Sequence, residues 1–572
     1  MMLSTLRLLL LLIATLPALH GYAYSQQAPS NSRLGSIKGR VLSDGQPITN
    51  ATVTVSSVNS ARQSRGIPTN DNGDFEVRGL DAGMYRVQAS APAYVSLPAD
   101  PEQEIYRVGD SVTLNMVKGG VITGKVVTAD NDPVVAVRVR ALMIRDPSGR
   151  RPASAVESFD RLTDDRGVYR IFGLVPGTYI VFAGGRGFSG TGANPYDHDA
   201  PTFAPSSTRD TAEEITLATG EERTIDIRYR GVDGHAVSGN VSVPATPDAP
   251  WITINLDRVV KSTLESRMTT YQRAGLKGFD FHGVADGDYF IWGVYSPSSS
   301  VTLLSEPKRI SVKGADVSGL ELIVKPLASV EGEVVLELST IAECKDRRHP
   351  FFRETLVSLE RNKKRPEAVR DQQFEPSYYG SSRASADAAG RFQLRNLAAG
   401  QYSFNVLALA PLWYLRSATL PAATKDSAAT ELTRSMLSLK SGDRVRGLKA
   451  TITEGAASIS GQVELPQDRS SGRVAFYVVP AEKDKGEDVM RYFAVAVADD
   501  GSFSMNHIPP GHYWTFAKPV SAENEPEVMA LRLTTAAAAR ARLRREAEAA
   551  KSEIELKPCQ SFGNHKPPLA SN

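Results

Sequence analysis

Eight histidines are the side chains of this sequence best suited to hold a metal or relay a proton: His20, His198, His235, His282, His349, His507, His512 and His565. A hydrolytic zinc centre needs donors spaced to reach one ion, such as His-x-x-Glu joined by a distant third ligand. None of the eight is followed three positions later by Glu or Asp. His282 and His507 read as occupants of the same turn position in a repeat, which makes them loop histidines. Gly187-Phe-Ser189-Gly190 lacks the spacing of a nucleophile elbow. The run Gly184, Gly185, Gly187 is not followed by Lys-Ser or Lys-Thr, so it makes no phosphate cradle. Asn70-Asp71-Asn72-Gly73-Asp74 clusters oxygens as a calcium loop does, without that loop's terminal bidentate Glu. Turn chemistry is the favoured reading there and a weak calcium site the other. No catalytic, cofactor-binding or metal-binding residue is expected, and the chain reads as a non-enzyme.

The elements around these residues recur. DNGDFEVRGLDAGMY (71–85) has a near copy in DRGVYRIFGLVPGTY (165–179), then in KGFDFHGVADGDY, GRFQLRNLAAGQY and GSFSMNHIPPGHY, which end at Tyr289, Tyr402 and Tyr513. The third copy has Lys277 in place of the first glycine. Ile/Val-x-Gly-x-Val precedes each copy, with its glycine at 39, 124, 239, 332 and 461. These glycines stand 85, 115, 93 and 129 residues apart, which leaves room for insertions at about 184–207 and 340–381. Alternating apolar residues follow each copy: Val112, Leu114, Met116; Ile225, Ile227, Tyr229; Leu320, Leu322, Val324; Leu448, Ala450, Ile452. Ile554 and Leu556 are expected to close the fifth.

Alternation of this kind is the period of strands with one buried face. Asp71-Asn72-Gly73 and Asp499-Asp500-Gly501 are turn chemistry, glycine adopting positive φ without steric cost, and Gly167 and Gly390 are turn residues at the same position. Pro176-Gly177 and Pro510-Gly511 make a second turn, where the glycine is expected to accept a left-handed position, and Gly83 and Gly400 are turn residues at the same offset. Tyr85, Tyr179, Tyr289, Tyr402 and Tyr513 then enter the next strand, rings inward and hydroxyls bonded to nearby backbone. Five repetitions favour a structural over a catalytic tyrosine.

With these residues the chain resembles tandem carboxypeptidase regulatory-like domains, transthyretin-like sandwiches among carbohydrate-binding-like folds. The resemblance spans about Gly35 to Cys559 and is weakest in the third copy. It implies an all-β chain of five tandem Ig- or transthyretin-like Greek-key sandwiches with one helix near the C-terminus. The expected division is a signal peptide 1–25, a linker 26–34, and sandwiches at 35–118, 119–232, 233–327, 328–454 and 455–560. The fourth carries a loop insertion, the fifth an inserted helix at about 526–550, and 561–572 is a tail. The resemblance implies no peptidase activity, since fold alone does not establish function.

If the tyrosines face inward, Phe290, Trp292, Trp514 and Phe516 face outward, as do Ile180 and Phe182. The equivalent residues Arg86, Gln88, Ser403 and Asn405 are polar, as a solvated sheet face requires. Outward aromatics need a cover or a partner. For Trp514 and Phe516 the cover is the segment 525–553, in which Pro526 suits a first turn. Met529, Leu533, Ala536, Leu543, Ala547 and Ala550 recur at helical spacing there. Arg540, Arg542, Arg544 and Arg545 are expected mostly on its far side. Phe290 and Trp292 have either a neighbouring sandwich or a sugar ring as partner.

The 66 basic and 64 acidic residues nearly cancel, which argues against a nucleic-acid partner. Arg7, an apolar run from Leu8 to Leu16 and Gly21-Tyr22-Ala23 form an export signal too short to span a membrane. An oxidising compartment permits a disulfide between Cys344 and Cys559, and two free thiols is the alternative. The expected role is an exported, non-catalytic scaffold or adhesin-like binding rod of the cell envelope. It would have polysaccharide or envelope proteins as partners, no cofactor, and no transmembrane span in the mature chain. A carbohydrate-binding protein using the outward aromatics is the alternative.

Overall fold

A computed structural model describes residues 35–570 except 59, 98–104, 148, 150–159, 186–193, 244–250, 261–262, 274–277, 299–300, 346–348, 362–380, 409, 423–427, 466–472, 499 and 521–536. The signal segment, the linker, Lys277, Pro526, Met529, Leu533 and Ala536 lie outside the described residues. The fold is all-β, built from sheets packed as sandwiches, with one α-helix among the described residues, α1 (Ala537–Ala549).

Each copy of the sequence pattern organises the same pair of facing layers, which are separate sheets in four repeats and in the third are joined into one eight-stranded sheet by pairing of Val301–Ser305 with Val317–Pro326. The Ile/Val-x-Gly-x-Val segment is an opening strand: Gly35–Ser43, Gly120–Val127, His235–Ser242, Ala328–Glu337 and Ala457–Gln462. It pairs antiparallel with the glycine–aromatic strand, as in Ile37 opposite Val77 and Gly39 opposite Phe75. On its other edge it pairs parallel with a closing strand, Gly39 lying opposite Val112. The facing sheet holds the tyrosine strand (Met84–Ser90, Gly177–Ala183, Gly287–Ser298, Gly400–Ala408, Gly511–Val520), antiparallel to the strand before the motif. In the first repeat Ile37, Val41, Val53, Val55, Phe75, Val77, Tyr85, Val87, Val112 and Met116 meet between the sheets as one core. At about 25 cal/mol per Å² of apolar surface, such cores are the main term holding each sandwich together.

The opening-strand glycine has a steric cause that spacing alone does not reveal. A Cβ at Gly39, Gly124, Gly239, Gly332 or Gly461 would lie 1.9–2.2 Å from a backbone carbonyl oxygen of the closing strand, that of Val112, Ile225, Leu320, Leu448 or His565. Only a residue without Cβ lets the parallel strand approach.

Each glycine–aromatic strand ends in a bulge, where it carries one residue more than the opening strand opposite. The bulged residue is Gly79, Gly173, Gly283, Asn396 or His507, at φ +72°, +73°, +69°, +60° and +64°. His507 is thus equivalent to Gly283 and sits in a bulge; His282 is one position earlier, so the two histidines do not share a turn position.

Two further expectations change. Ile554 and Leu556 lie on Glu553–Leu556, which pairs with the tyrosine strand rather than closing the parallel pair. The closing strand of the fifth repeat is Ser561–His565, parallel to Ala457–Gln462, so this stretch is a strand and not a tail. At the second turn Gly177 and Gly511 take positive φ as expected, as does Gly287, whereas Gly83 and Gly400 do not. The described part of 184–207 folds back as a cover: Phe203 packs on Phe182 with ring centroids 4.9 Å apart, over Leu142 and Ile180.

Candidate functional site

All five repeat tyrosines are buried, at most 7% exposed. Each hydroxyl donates to the carbonyl four residues upstream: Tyr85 to Asp81 (2.9 Å), Tyr179 to Val175 (2.6 Å), Tyr289 to Ala285, Tyr402 to Ala398 and Tyr513 to Pro509 (2.7 Å each). Burial pushes the phenols of Tyr85, Tyr179, Tyr289 and Tyr513 above their ordinary range. A phenol held neutral and donating to backbone ties the second turn to the strand that follows it.

In three repeats the first turn is closed by a carboxylate or amide three residues before its glycine, which sequence reading passed over in favour of the glycine. Asn70 Oδ1 accepts from the amides of Asn72 (3.0 Å) and Asp74 (2.8 Å). Asp164 Oδ1 accepts from Arg166 (3.0 Å) and Val168 (2.8 Å), and Asp387 Oδ1 from Ala389 (2.8 Å) and Arg391 (2.9 Å). Hydrogen bonds from Arg166 and the Val168 amide hold Asp164 below the usual carboxylate range. The oxygens around Gly73 are thus engaged in turn chemistry: Asp74 Oδ1 accepts from Arg40 Nε at 2.6 Å.

The second turn has its own support in three repeats. Arg258, Arg361 and Arg491 donate to the carbonyl just before the turn glycine, those of Asp286 (2.9 Å), Ala399 (2.7 Å) and Pro510 (3.1 Å). The guanidinium fills the space a Cβ would need at Gly287, Gly400 and Gly511.

The histidines are dispersed among partners of different kinds. His235 Nε2 lies 3.2 Å from Asp286, His282 Nε2 2.8 Å from Asp280, and His512 Nδ1 3.5 Å from Glu553. His565 Nε2 and Thr515 Oγ1 are 2.9 Å apart, a nucleophile–base pairing by distance. Thr515 is wholly buried, burial lowers the His565 pKa, and the imidazole packs edge-on against Phe476, Phe503 and Phe562, so the pair is part of the packing of the fifth repeat. Among the described residues no cluster of three or more His, Cys, Asp or Glu is arranged to hold a metal ion.

What the structure does bring together are the ends of consecutive repeats, and the bulge does much of it. Gly173 packs on Gly119, where a Cβ would fall 3.0 Å from the Gly173 Cα and 3.3 Å from Val95. Gly283 sits against the Asp197 carbonyl, while the His282 and His198 rings lie 5.0 Å apart. His507 Nδ1 lies 2.8 Å from the Trp413 carbonyl oxygen, which links the fifth repeat to the fourth. That junction is also bridged by the Cys344–Cys559 disulfide. The first and fourth repeats share a small cluster of Met84, Ile105 and Leu356, a contact between non-consecutive repeats that a straight rod does not make.

Of the outward aromatics, Trp292 is fully buried with Leu304 and with Ala398 of the fourth repeat, and its Nε1 donates to Asp257 Oδ2 at 2.7 Å. Phe290 is half-buried. Phe516 is buried and Trp514 partly so beneath α1, whose Leu543 and Ala547 pack against Tyr477, Tyr492 and Phe516. Arg540 and Arg544 turn toward the sheet, contrary to expectation. Arg540 bonds Glu487, and Arg544 reaches the carbonyls of Ala481 and Glu482 with its guanidinium 5.6 Å from the Trp514 ring centre. Helical spacing puts both on the face of Leu543 and Ala547, where acceptors and an aromatic face are available.

No curated protein matches the chain. Among solved structures it is similar to the TIE protein of Bacillus anthracis, at 16% identity over 51% of this chain and 51% of that one, with a TM-score of 0.14. The chain therefore aligns with about half the length of that protein. It is also similar to GBS52, the minor pilin of Streptococcus agalactiae (15% identity, 37% of this chain and 99% of that one, TM-score 0.20). A third is the shaft pilin spaA of Lactobacillus rhamnosus GG (12%, 35% and 99%, TM-score 0.17). Residues 36–116, the first repeat, match the model of the carboxypeptidase regulatory-like domain.

Proposed function

We propose that this chain is a non-catalytic, exported, multidomain binding or scaffold protein of the cell envelope. The observation that carries the reading is the use of the repeated polar residues. The five tyrosine hydroxyls are donated to backbone carbonyls. The turn carboxylates and arginines close turns, and the bulges seat one repeat on the last. Repeated groups committed to structure leave repetition of a binding or spacing unit as the purpose of the chain. The division into sandwiches at 35–118, 119–232, 233–327, 328–454 and 455 onward belongs to the same proposal, with the last running to His565.

Two measurements test it. The full chain, expressed with its own leader and fractionated, is expected outside the cytoplasm with the leader removed. Incubated with peptide, ester and glycoside libraries, it is expected to turn over none. Turnover abolished by a single loop carboxylate substitution overturns the non-catalytic reading, and retention in the cytoplasm overturns the exported one.

A further inference from the structure

The outer aromatics of the second, third and fifth repeats are covered by Phe203, Ala398 and α1. Two aromatics of the third repeat are not: Trp251 is 56% exposed and Tyr271 49%. They lie on adjacent antiparallel strands, Trp251–Val260 and Thr263–Arg273, where Trp251 pairs with Arg273 and Thr253 with Tyr271. Since Ile252, Ile254, Leu256 and Tyr295 point into the core, Trp251, Thr253, Tyr271 and Arg273 share the opposite face. The same face continues across Val294 to Ser296 and Thr302, whose hydroxyls lie 3.4 Å apart. The two rings are diagonal neighbours, roughly 7–8 Å apart at the backbone.

We propose that this face binds a polysaccharide, with Trp251 and Tyr271 stacking on the C–H faces of its pyranose rings. The aromatic faces carry negative charge density that attracts polarised C–H groups. The hydroxyls of Thr253, Ser296 and Thr302 and the Arg273 guanidinium stand where sugar hydroxyls need donors and acceptors. A protein partner fits less well, because its binding centre requires a contiguous apolar patch. Here the aromatics are interleaved with hydroxyls and a cation. The inference names the ligand class of the binding role proposed above, and it places the sugar contact away from Phe290, Trp292, Trp514 and Phe516.

Native affinity electrophoresis of the full chain tests it, in gels cast with soluble β-glucan, xylan or mannan as neutral probes and with alginate as a uronate probe. The expected result is retardation in at least one gel. Trp251→Ala and Tyr271→Ala each weaken it by roughly tenfold or more, equivalent to ~1.4 kcal/mol, while the exposed control Phe172→Ala leaves it unchanged. Retardation by alginate alone that Arg273→Gln removes assigns a uronate chain; retardation by a neutral glycan assigns a neutral one. No retardation in any gel overturns the proposal, as does retardation indifferent to Trp251→Ala. So does self-association on gel filtration that Trp251→Ala abolishes in the absence of glycan binding. None of these three results bears on turnover, which tests the non-catalytic reading separately.

Discussion

Replacing Gly124 and Gly173 by alanine, two glycines of one repeat, separates two physical reasons for the residue. Gly124 has its Cβ position 1.9 Å from the Ile225 carbonyl oxygen, and real Cβ atoms do not come nearer than 3.0 Å. Alanine there forces the closing strand away by about 1.1 Å, a distance set by those two values. The bonds that hold that strand, Ile225 N to Thr123 O at 2.7 Å and Lys125 N to Asp226 Oδ1 at 2.8 Å, cannot survive such a shift. Two lost bonds, one of them leaving buried groups unmatched, come to about 3–5 kcal/mol. Gly173 has φ +73° with nothing within 4 Å of its Cβ position, so alanine meets only the left-handed penalty of about 1–2 kcal/mol. Asparagine at Gly173 should cost less than ~1 kcal/mol, because asparagine tolerates this region and Asn396 occupies the same position at φ +60° in the fourth repeat. Hydrogen exchange read by mass spectrometry over Gly120–Val127 reports local opening within the full chain. Gly124→Ala should speed exchange there by about a hundredfold or more, Gly173→Ala by about tenfold, and Gly173→Asn by less. If Gly124→Ala costs no more than Gly173→Ala, close approach of the parallel strand is not the reason for the glycine, and the account of the opening strand fails.

Tyr179→Phe removes only the hydroxyl bonded to Val175 and should cost about 1–2 kcal/mol locally, measured by exchange of the 175–183 amides; no change would strip the hydroxyl of its structural role. Trp292→Ala opens a cavity between the third and fourth repeats and removes the indole donor to Asp257, so a loss of about 3–5 kcal/mol is expected in the calorimetric transition of that region. The Cys344→Ser/Cys559→Ser pair releases a closure spanning 215 residues and should lower stability by up to about 5 kcal/mol, seen as faster exchange in Ser561–His565. Unchanged exchange would show the fourth–fifth junction to be held by packing alone. Asp74, Asp164, Asp387 and Asp500 have folded pKa values depressed below the ordinary aspartate value, Asp74 by the hydrogen bond from Arg40 on the paired strand and the other three by hydrogen bonds within their turns, from Arg166 and the Val168 amide, from the Arg391 and Ala389 amides, and from Ser502. Their contribution is therefore complete above about pH 4 and declines as pH falls through the folded values. An acid titration of stability should show that direction, and Asp164→Asn should flatten it.

The five-fold pattern of opening glycine, turn glycine and inward tyrosine was legible because each is dictated locally. Period-two alternation fixes which ring enters the core, and a turn needing positive φ selects glycine within a few residues. The tyrosine bond four residues back is local in the same sense, and α1 was readable from its apolar spacing. By contrast, the reason for glycine in the opening strand lies in a carbonyl 73 to 116 positions away, from Gly39–Val112 to Gly332–Leu448. No window of sequence contains both partners. The same distance hid the equivalence of His507 with Gly283, since a bulge exists only relative to the strand it pairs with. It also hid which strand closes the fifth sandwich, because Glu553–Leu556 and Ser561–His565 alternate alike and only pairing tells them apart. Alternation could say that Trp292 and Phe516 leave their own core, yet whether they meet water, a helix or a neighbouring repeat depends on how separate sandwiches dock. That docking left Trp251 and Tyr271 exposed side by side on one sheet face. Local steric and hydrogen-bond rules act through neighbours in the chain and so are written in it, whereas exposure is decided by segments that meet only after folding.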